Sequence, residues 1–195
     1  MQNLVEITPE KFDVIFDLRY ASANNVCGHK MYSYPFCYMH EAAIAPLEQA
    51  IKSAKNLGLK LKIFDGFRPF EVQKYMFNKF PSNDPKGGFV SNPDGGVIPH
   101  CRGVAIDLTL TDMDGNELDM GTDFDEFSEL AFHNCEKIST EAQRNRLILL
   151  GLMSAAGWDF YSKEWWHYQL FKPREYPVAQ ASSDLLTSFV KGGGA

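Results

Sequence analysis

The sequence predicts an α+β fold: a central antiparallel sheet flanked by helices, in one domain. Three observations predict it. Ile44, Leu47, Ile51 and Ala54 recur at three- and four-residue spacings, the period of a helix with one buried face. Residues 104–110, Val-Ala-Ile-Asp-Leu-Thr-Leu, have the alternation and β-branched content of a strand. The two periods are interleaved along the chain and separated by Gly-, Pro-, Asn- and Asp-containing turns, an order that suits α+β packing.

Taken in order, residues 40–57 read as a helix, with Gly58 as its C-terminal cap. Residues 59–64 follow as a short strand and end at the break Asp65-Gly66-Phe67-Arg68-Pro69. Residues 70–80 then read as a helix carrying Val72, Tyr75, Met76 and Phe80 on one side. The stretch 81–99 is dense in Gly, Pro, Ser, Asn and Asp and reads as a long surface loop. Loops of that length in a compact domain are often functional. After the 104–110 strand, Asp114-Gly115 signals a hairpin turn. Thr140 and Gln143 form a capping box opening a helix to about Ala156, and residues 165–171 are a last, aromatic-rich strand. Residues 177–195 end in Lys-Gly-Gly-Gly-Ala and are expected as a partly flexible tail behind a domain spanning 1–176.

The 195 residues suit one domain, and 13% aromatic residues can fill its core. A formal charge of −6 argues against a polyanionic partner, so neither nucleic acid nor an anionic membrane is expected. No run reaches the roughly 18–20 apolar residues of a membrane span. The N-terminus has neither the basic start nor the apolar stretch of a signal peptide. Cys27, Cys37, Cys101 and Cys135 are widely spaced and form no CxxC pair. They read as reduced thiols of a cytoplasmic protein, with the periplasm as the alternative if the chain is a mature form.

Three segments combine the residue types that metal-assisted hydrolysis needs. In the first, His100 and Asp107 are too far apart for one helical face, but Gly103 permits a tight turn that returns both to one ion. In the second, Glu164-Trp-Trp-His167, residues three apart in a regular strand would face opposite sides. Glu164 and His167 therefore share a site only if Glu164 lies at a turn or bulge. The third is the Asp65–Pro69 turn, which carries Arg68. His100, Asp107 and His167 would give a zinc ion two nitrogens and one oxygen, leaving open the fourth position that catalytic zinc uses. Glu164 would serve as the general base, and Arg68 would stabilise a developing oxyanion. Each residue also has a plainer reading: a packed histidine, a turn aspartate, a solvated turn arginine, a core tryptophan. His29, His40 and His133 have no partner at a recognisable spacing and read as surface or capping residues.

These three segments, together with the start Asp17-Leu-Arg-Tyr-Ala21 and Asn25 and Gly28 after it, resemble the VanX-type D-alanyl-D-alanine dipeptidases. Those are zinc peptidases related to D,D-carboxypeptidases and to the hedgehog signalling domain. The resemblance runs in order from about residue 15 to 170. It implies a hedgehog/D,D-peptidase-like fold, one zinc per chain and a small D,D-dipeptide substrate. The biological role would be cell-wall dipeptide turnover or glycopeptide resistance. Residue by residue, it implies His100, Asp107 and His167 as zinc ligands, Glu164 as the base and Arg68 as the transition-state stabiliser. It further implies that Asp125 holds the substrate ammonium, with Tyr20 near that end of the pocket, and that Trp165, Trp166 and Tyr168 wall the metal ligand.

The chain departs from the family's pattern just before the first zinc histidine. Ile98-Pro99 stands where the family has two serines that help bind the substrate carboxylate, and Pro99 has no amide donor. Carboxylate binding is therefore expected to be weaker, rearranged or supplied by the 81–99 loop. Two alternatives follow. One is a D,D- or L,D-carboxypeptidase acting on peptidoglycan stems. The other is a non-catalytic zinc-fold binding module, which would have no need for Glu164 or Arg68.

Overall fold

The computed structural model describes residues 3–81 and 88–191; positions 82–87 of the expected loop and 192–195 of the expected tail lie outside them. Among the described residues, seven strands form two sheets. β1 (Leu4–Glu6) pairs antiparallel with β3 (Tyr38–His40). The larger sheet contains β2 (Ile15–Phe16), β4 (Lys60–Asp65), β5 (Ala105–Thr111), β6 (Asp159–Phe160) and β7 (His167–Gln169) in the order β2-β4-β5-β7-β6. All its neighbours are antiparallel except the edge pair β2 and β4, which is parallel. The expected antiparallel sheet is present, with one parallel strand added. β5 is its centre, and all seven of its residues are buried, which its Ala-Ile-Asp-Leu-Thr-Leu-Thr sequence allows.

The helices are α1 (Pro9–Phe12), α2 (Ile44–Asn56), α3 (Phe70–Lys79), α4 (Thr140–Ala155) and α5 (Ser188–Lys191). α2 buries Leu47, Ala50 and Ala54. Its start is later than predicted because His40 ends β3 and Glu41–Ala43 form a 3-10 turn. His40 is a capping residue, its Nδ1 accepting from the Ala42 amide at 3.2 Å. α4 is shifted by one position at its cap. The N-cap is Ser139, whose Oγ accepts from Ala142 N at 3.0 Å, and Gln143 reaches back to the Ile138 carbonyl at 3.1 Å. Adjacent Ser139 and Thr140 both carry cap hydroxyls, and the extended backbone of Ser139 decides between them.

The 165–171 strand shortens to β7 because residues 161–167 fold into turns, with Glu164 N donating to Tyr161 O and His167 N to Glu164 O. The two-residue strands β2 and β6 are too short to carry a readable period. Within the expected tail, residues 177–191 pack against the body. Ser33 N donates to Leu185 O at 2.8 Å, Ala179 N to Cys101 O at 2.9 Å, and Leu185, Leu186 and Val190 are buried. Three apolar side chains in a nominally polar tail are enough to hold it on the body, so the packed unit runs past residue 176 to at least 191. No described helix is long and apolar enough to cross a membrane.

Candidate metal and catalytic site

Strand register lines up the chemistry. Asp107 on β5 stands opposite Asp65 on β4 and His167 on β7. Directly paired residues point to the same face, so three strands place three polar side chains in one row. His100 reaches that row from a 3-10 turn, His100–Arg102, which Gly103 closes at φ +68°. A Cβ on Gly103 would also lie 3.0 Å from the His40 backbone nitrogen, so the positive φ and the close approach to β3 both favour glycine here. The His100 and Arg68 turns are joined: Arg68 N donates to His100 O at 3.2 Å, and His100 Nδ1 donates to Gly66 O at 2.8 Å. Gly66 itself is pressed against Cys37 and the start of β3, where a Cβ would lie 2.9 Å from Cys37 Sγ and 3.0 Å from Tyr38 O.

The result is a triangle of ligand atoms. His100 Nε2 lies 3.2 Å from His167 Nδ1 and 3.3 Å from Asp107 Oδ1, and His167 Nδ1 lies 3.1 Å from Asp107 Oδ1. The outer nitrogens fix what faces inward. A carbonyl can only accept, so His100 Nδ1 holds its proton against Gly66 O and turns the Nε2 lone pair to the centre. His167 Nε2 faces Gln169 Oε1 at 3.2 Å, which leaves Nδ1 as the inward lone pair. Two ring nitrogens and a carboxylate oxygen therefore converge within 3.1–3.3 Å, an arrangement that a cation satisfies. Ligands of a tetrahedral ion at about 2.0–2.1 Å lie roughly 3.3–3.4 Å apart, so the triangle is the right size. Among the described residues these three form the one group able to hold a metal ion.

Charge around the triangle is arranged by burial. Burial alone would raise the Asp107 carboxyl, yet the facing His100 and His167 hold it below the usual carboxylate range. Arg68 is buried and tied on three sides: Nε to Asp65 Oδ2 at 2.9 Å, Nη1 to Gln73 Oε1 at 3.1 Å and Nη2 to Asp107 Oδ2 at 3.4 Å. Asp65 is held in turn by the Tyr32 hydroxyl at 2.8 Å. Glu164 has Oε2 3.8 Å from His167 Nδ1. Burial pushes its carboxyl well above the ordinary range, with Asp107 and Asp125 adding to the shift. Asp125 accepts from the Tyr20 hydroxyl at 3.0 and 3.2 Å. Burial pushes Asp125 up to about 7, opposed by Arg68 and reinforced by Asp107.

All seven residues singled out from sequence, His100, Asp107, His167, Glu164, Arg68, Asp125 and Tyr20, line one cavity of about 580 Å3. Glu164 sits in the turn ahead of β7, as its spacing from His167 requires. Of the three aromatics expected to wall the site, only Trp166 lines the cavity. Trp165 donates Nε1–H to Thr122 Oγ1 at 2.8 Å, and Tyr168, one residue out of phase with His167, is buried near His133. The Cys101 thiol is outside the converging set and, being buried, is pushed up to about 12. Asp65, Gln73 and Gln169 are the supports that sequence reading missed. Asp65 lay inside a noticed turn; Gln73 and Gln169 carry no local signal, because only the fold brings them to Arg68 and His167.

The peptidase M15 family, described as D-ala-D-ala dipeptidase, matches residues 2–185. A D-alanyl-D-alanine dipeptidase of Escherichia coli is 38% identical over 181 residues, covering 93% of this chain and 90% of the relative. One from Enterococcus faecium is 32% identical over 186 residues, covering 84% and 89%. One from Enterococcus faecalis is 30% identical over 177 residues, covering 80% and 86%.

Proposed function

Since the chain belongs to the peptidase M15 family of D-Ala-D-Ala dipeptidases, we propose that it hydrolyses D-alanyl-D-alanine to two molecules of D-alanine at a single zinc centre. The observation that carries this reading is the triangle of His100 Nε2, Asp107 Oδ1 and His167 Nδ1 with Glu164 beside it. These three atoms would hold the zinc. When bound, zinc acidifies water and polarises a carbonyl. The hedgehog/D,D-peptidase-like fold name belongs to the same proposal.

Hydrolysis breaks the peptide C–N bond, adds the water oxygen to the new carboxylate and delivers a proton to the leaving amine. Glu164 is the group that moves that proton: its carboxylate takes it from water and passes it to the leaving nitrogen. A buried carboxyl with raised proton affinity suits the receiving half of that transfer. Arg68, fixed by Asp65 and Gln73, holds a forked positive charge next to Asp107, where the carbonyl oxygen gains negative charge. Asp125, steadied by Tyr20, meets the substrate ammonium. Keeping a base and an oxyanion donor weighs against a binding-only module. All four cysteines are free thiols, in keeping with a cytoplasmic setting.

The test joins metal analysis to turnover. Glu164→Ala is expected to keep one zinc per chain while D-Ala-D-Ala hydrolysis falls by about 10²–10⁴-fold. His167→Ala is expected to lose the zinc as well. Unaltered turnover in Glu164→Ala would remove the proposed base, and full zinc in His167→Ala would remove the ligand set.

A further inference from the structure

A free dipeptide is charged at both ends, and the site described so far answers only one of them. Asp125 takes the ammonium. Arg68 is committed to Asp65, Gln73 and Asp107. The wall just before His100 offers little to a carboxylate: Ile98 is buried and carries no hydroxyl, and Pro99, which lines the cavity, has no N–H.

We propose that Arg174 receives the substrate's free carboxylate and so determines the enzyme's preference for a C-terminal acid. Arg174 borders the same cavity from the 3-10 turn Pro173–Glu175, which follows β7. Its Nη2 donates to Gly95 O at 3.0 Å, which ties the guanidinium to the segment that runs on into Gly96, Val97 and Pro99 of the cavity lining. Its neighbours Lys172 and Glu175 pair with each other at 3.3 Å. Arg174 has no carboxylate within ion-pair distance among the described residues. Nη2 carries two N–H groups and Gly95 takes one; the other, with the adjoining Nε–H or Nη1–H, makes the planar fork that matches a carboxylate. The wall itself is held from another side, where Arg102 Nε donates to Val97 O at 2.8 Å.

This inference rests on the dipeptidase reading, and the experiment separates the two. The zinc-loaded chain and its Arg174→Gln and Arg174→Lys variants are assayed on D-Ala-D-Ala and on D-alanyl-D-alaninamide, whose C-terminus is neutral. Arg174→Gln is expected to raise KM for the acid by roughly 10–100-fold, the loss of one charge-assisted contact, with kcat little changed. The amide is expected to change less than about twofold, since it offers no charge to lose. Arg174→Lys is expected to recover part of the loss. Binding of D-Ala-D-Ala to Glu164→Ala and to the Glu164→Ala/Arg174→Gln double variant, read by calorimetry, should show the same ratio without turnover. An unchanged KM for the acid, or an equal rise for acid and amide, overturns the role of Arg174 while leaving the dipeptidase reading standing. A wild-type chain that binds zinc but cleaves no D,D-dipeptide overturns both.

Discussion

His167 presents Nδ1 to the centre because its Nε2 is engaged by Gln169. Removing that acceptor frees the ring to change tautomer or rotate. Gln169→Leu is therefore expected to weaken zinc binding by about 10–100-fold, with Gln169→Glu retaining it, as read by competition with a chelator. Asp125 makes a second single-residue prediction. In the metal-free chain its carboxyl is raised by burial to about 7, against a usual 3.8. The folded state thus holds this proton more tightly than the unfolded chain does. The associated stability is full below about pH 4 and is lost as pH rises through about 7. Asp125→Asn cannot lose that proton, so the metal-free variant should be the more stable form at pH 8, by up to roughly 4 kcal/mol, and nearly equal to wild type at pH 4, by urea denaturation. The candidate residues themselves were legible from residue type and spacing with the family resemblance. Gln169 and Gln73 were not, because a glutamine carries no chemical signature until something it can bond to is folded against it.

Elements convert those residues into geometry. The turn from His100 to Gly103 and the strand β5 behind it set the distance between the first two ligands, and Gly103 is where the chain reverses. Gly103→Ala would force an alanine to φ +68° and drive its Cβ toward Leu4 and His40. A loss of about 1–3 kcal/mol is expected from the backbone alone, with weakened zinc binding, by denaturant titration and metal analysis. The long periodic elements α2, α3, α4 and β5 could be read from sequence, since each repeats its signal over two or more turns or several alternations. The two-residue strands β2 and β6 repeat nothing. The ends of elements moved for local reasons: one hydroxyl displaced another at the Ser139 cap, and a pair of turns over 161–167 took residues 165 and 166 out of the last strand.

At the scale of the whole molecule, the ligand set comes from one turn and two strands, so metal binding and folding are linked. A ligand that binds only the folded chain stabilises it by about 4 kcal/mol when its concentration is 1,000 times its Kd. For a chain of this size that is a rise in Tm of roughly 8–16 °C, which calorimetry of zinc-loaded and chelator-treated protein should show. Glu164→Ala should keep the rise and His167→Ala should lose it. In the C-terminal segment, Leu185, Leu186 and Val190 find a buried surface near Met31 and Ser33 that no window of sequence contains. The sequence alone determined the helices and central strand, the acidic balance and the residue types of a hydrolytic metal site, because periodicity and side-chain chemistry are local properties. Only the tertiary structure decided the sheet order, the row Asp65–Asp107–His167, the inward nitrogens of the two histidines and the arrival of Gln73, Gln169 and Arg174 at the cavity. Those depend on contacts between segments dozens of residues apart, and they exist only once the strands have found their register.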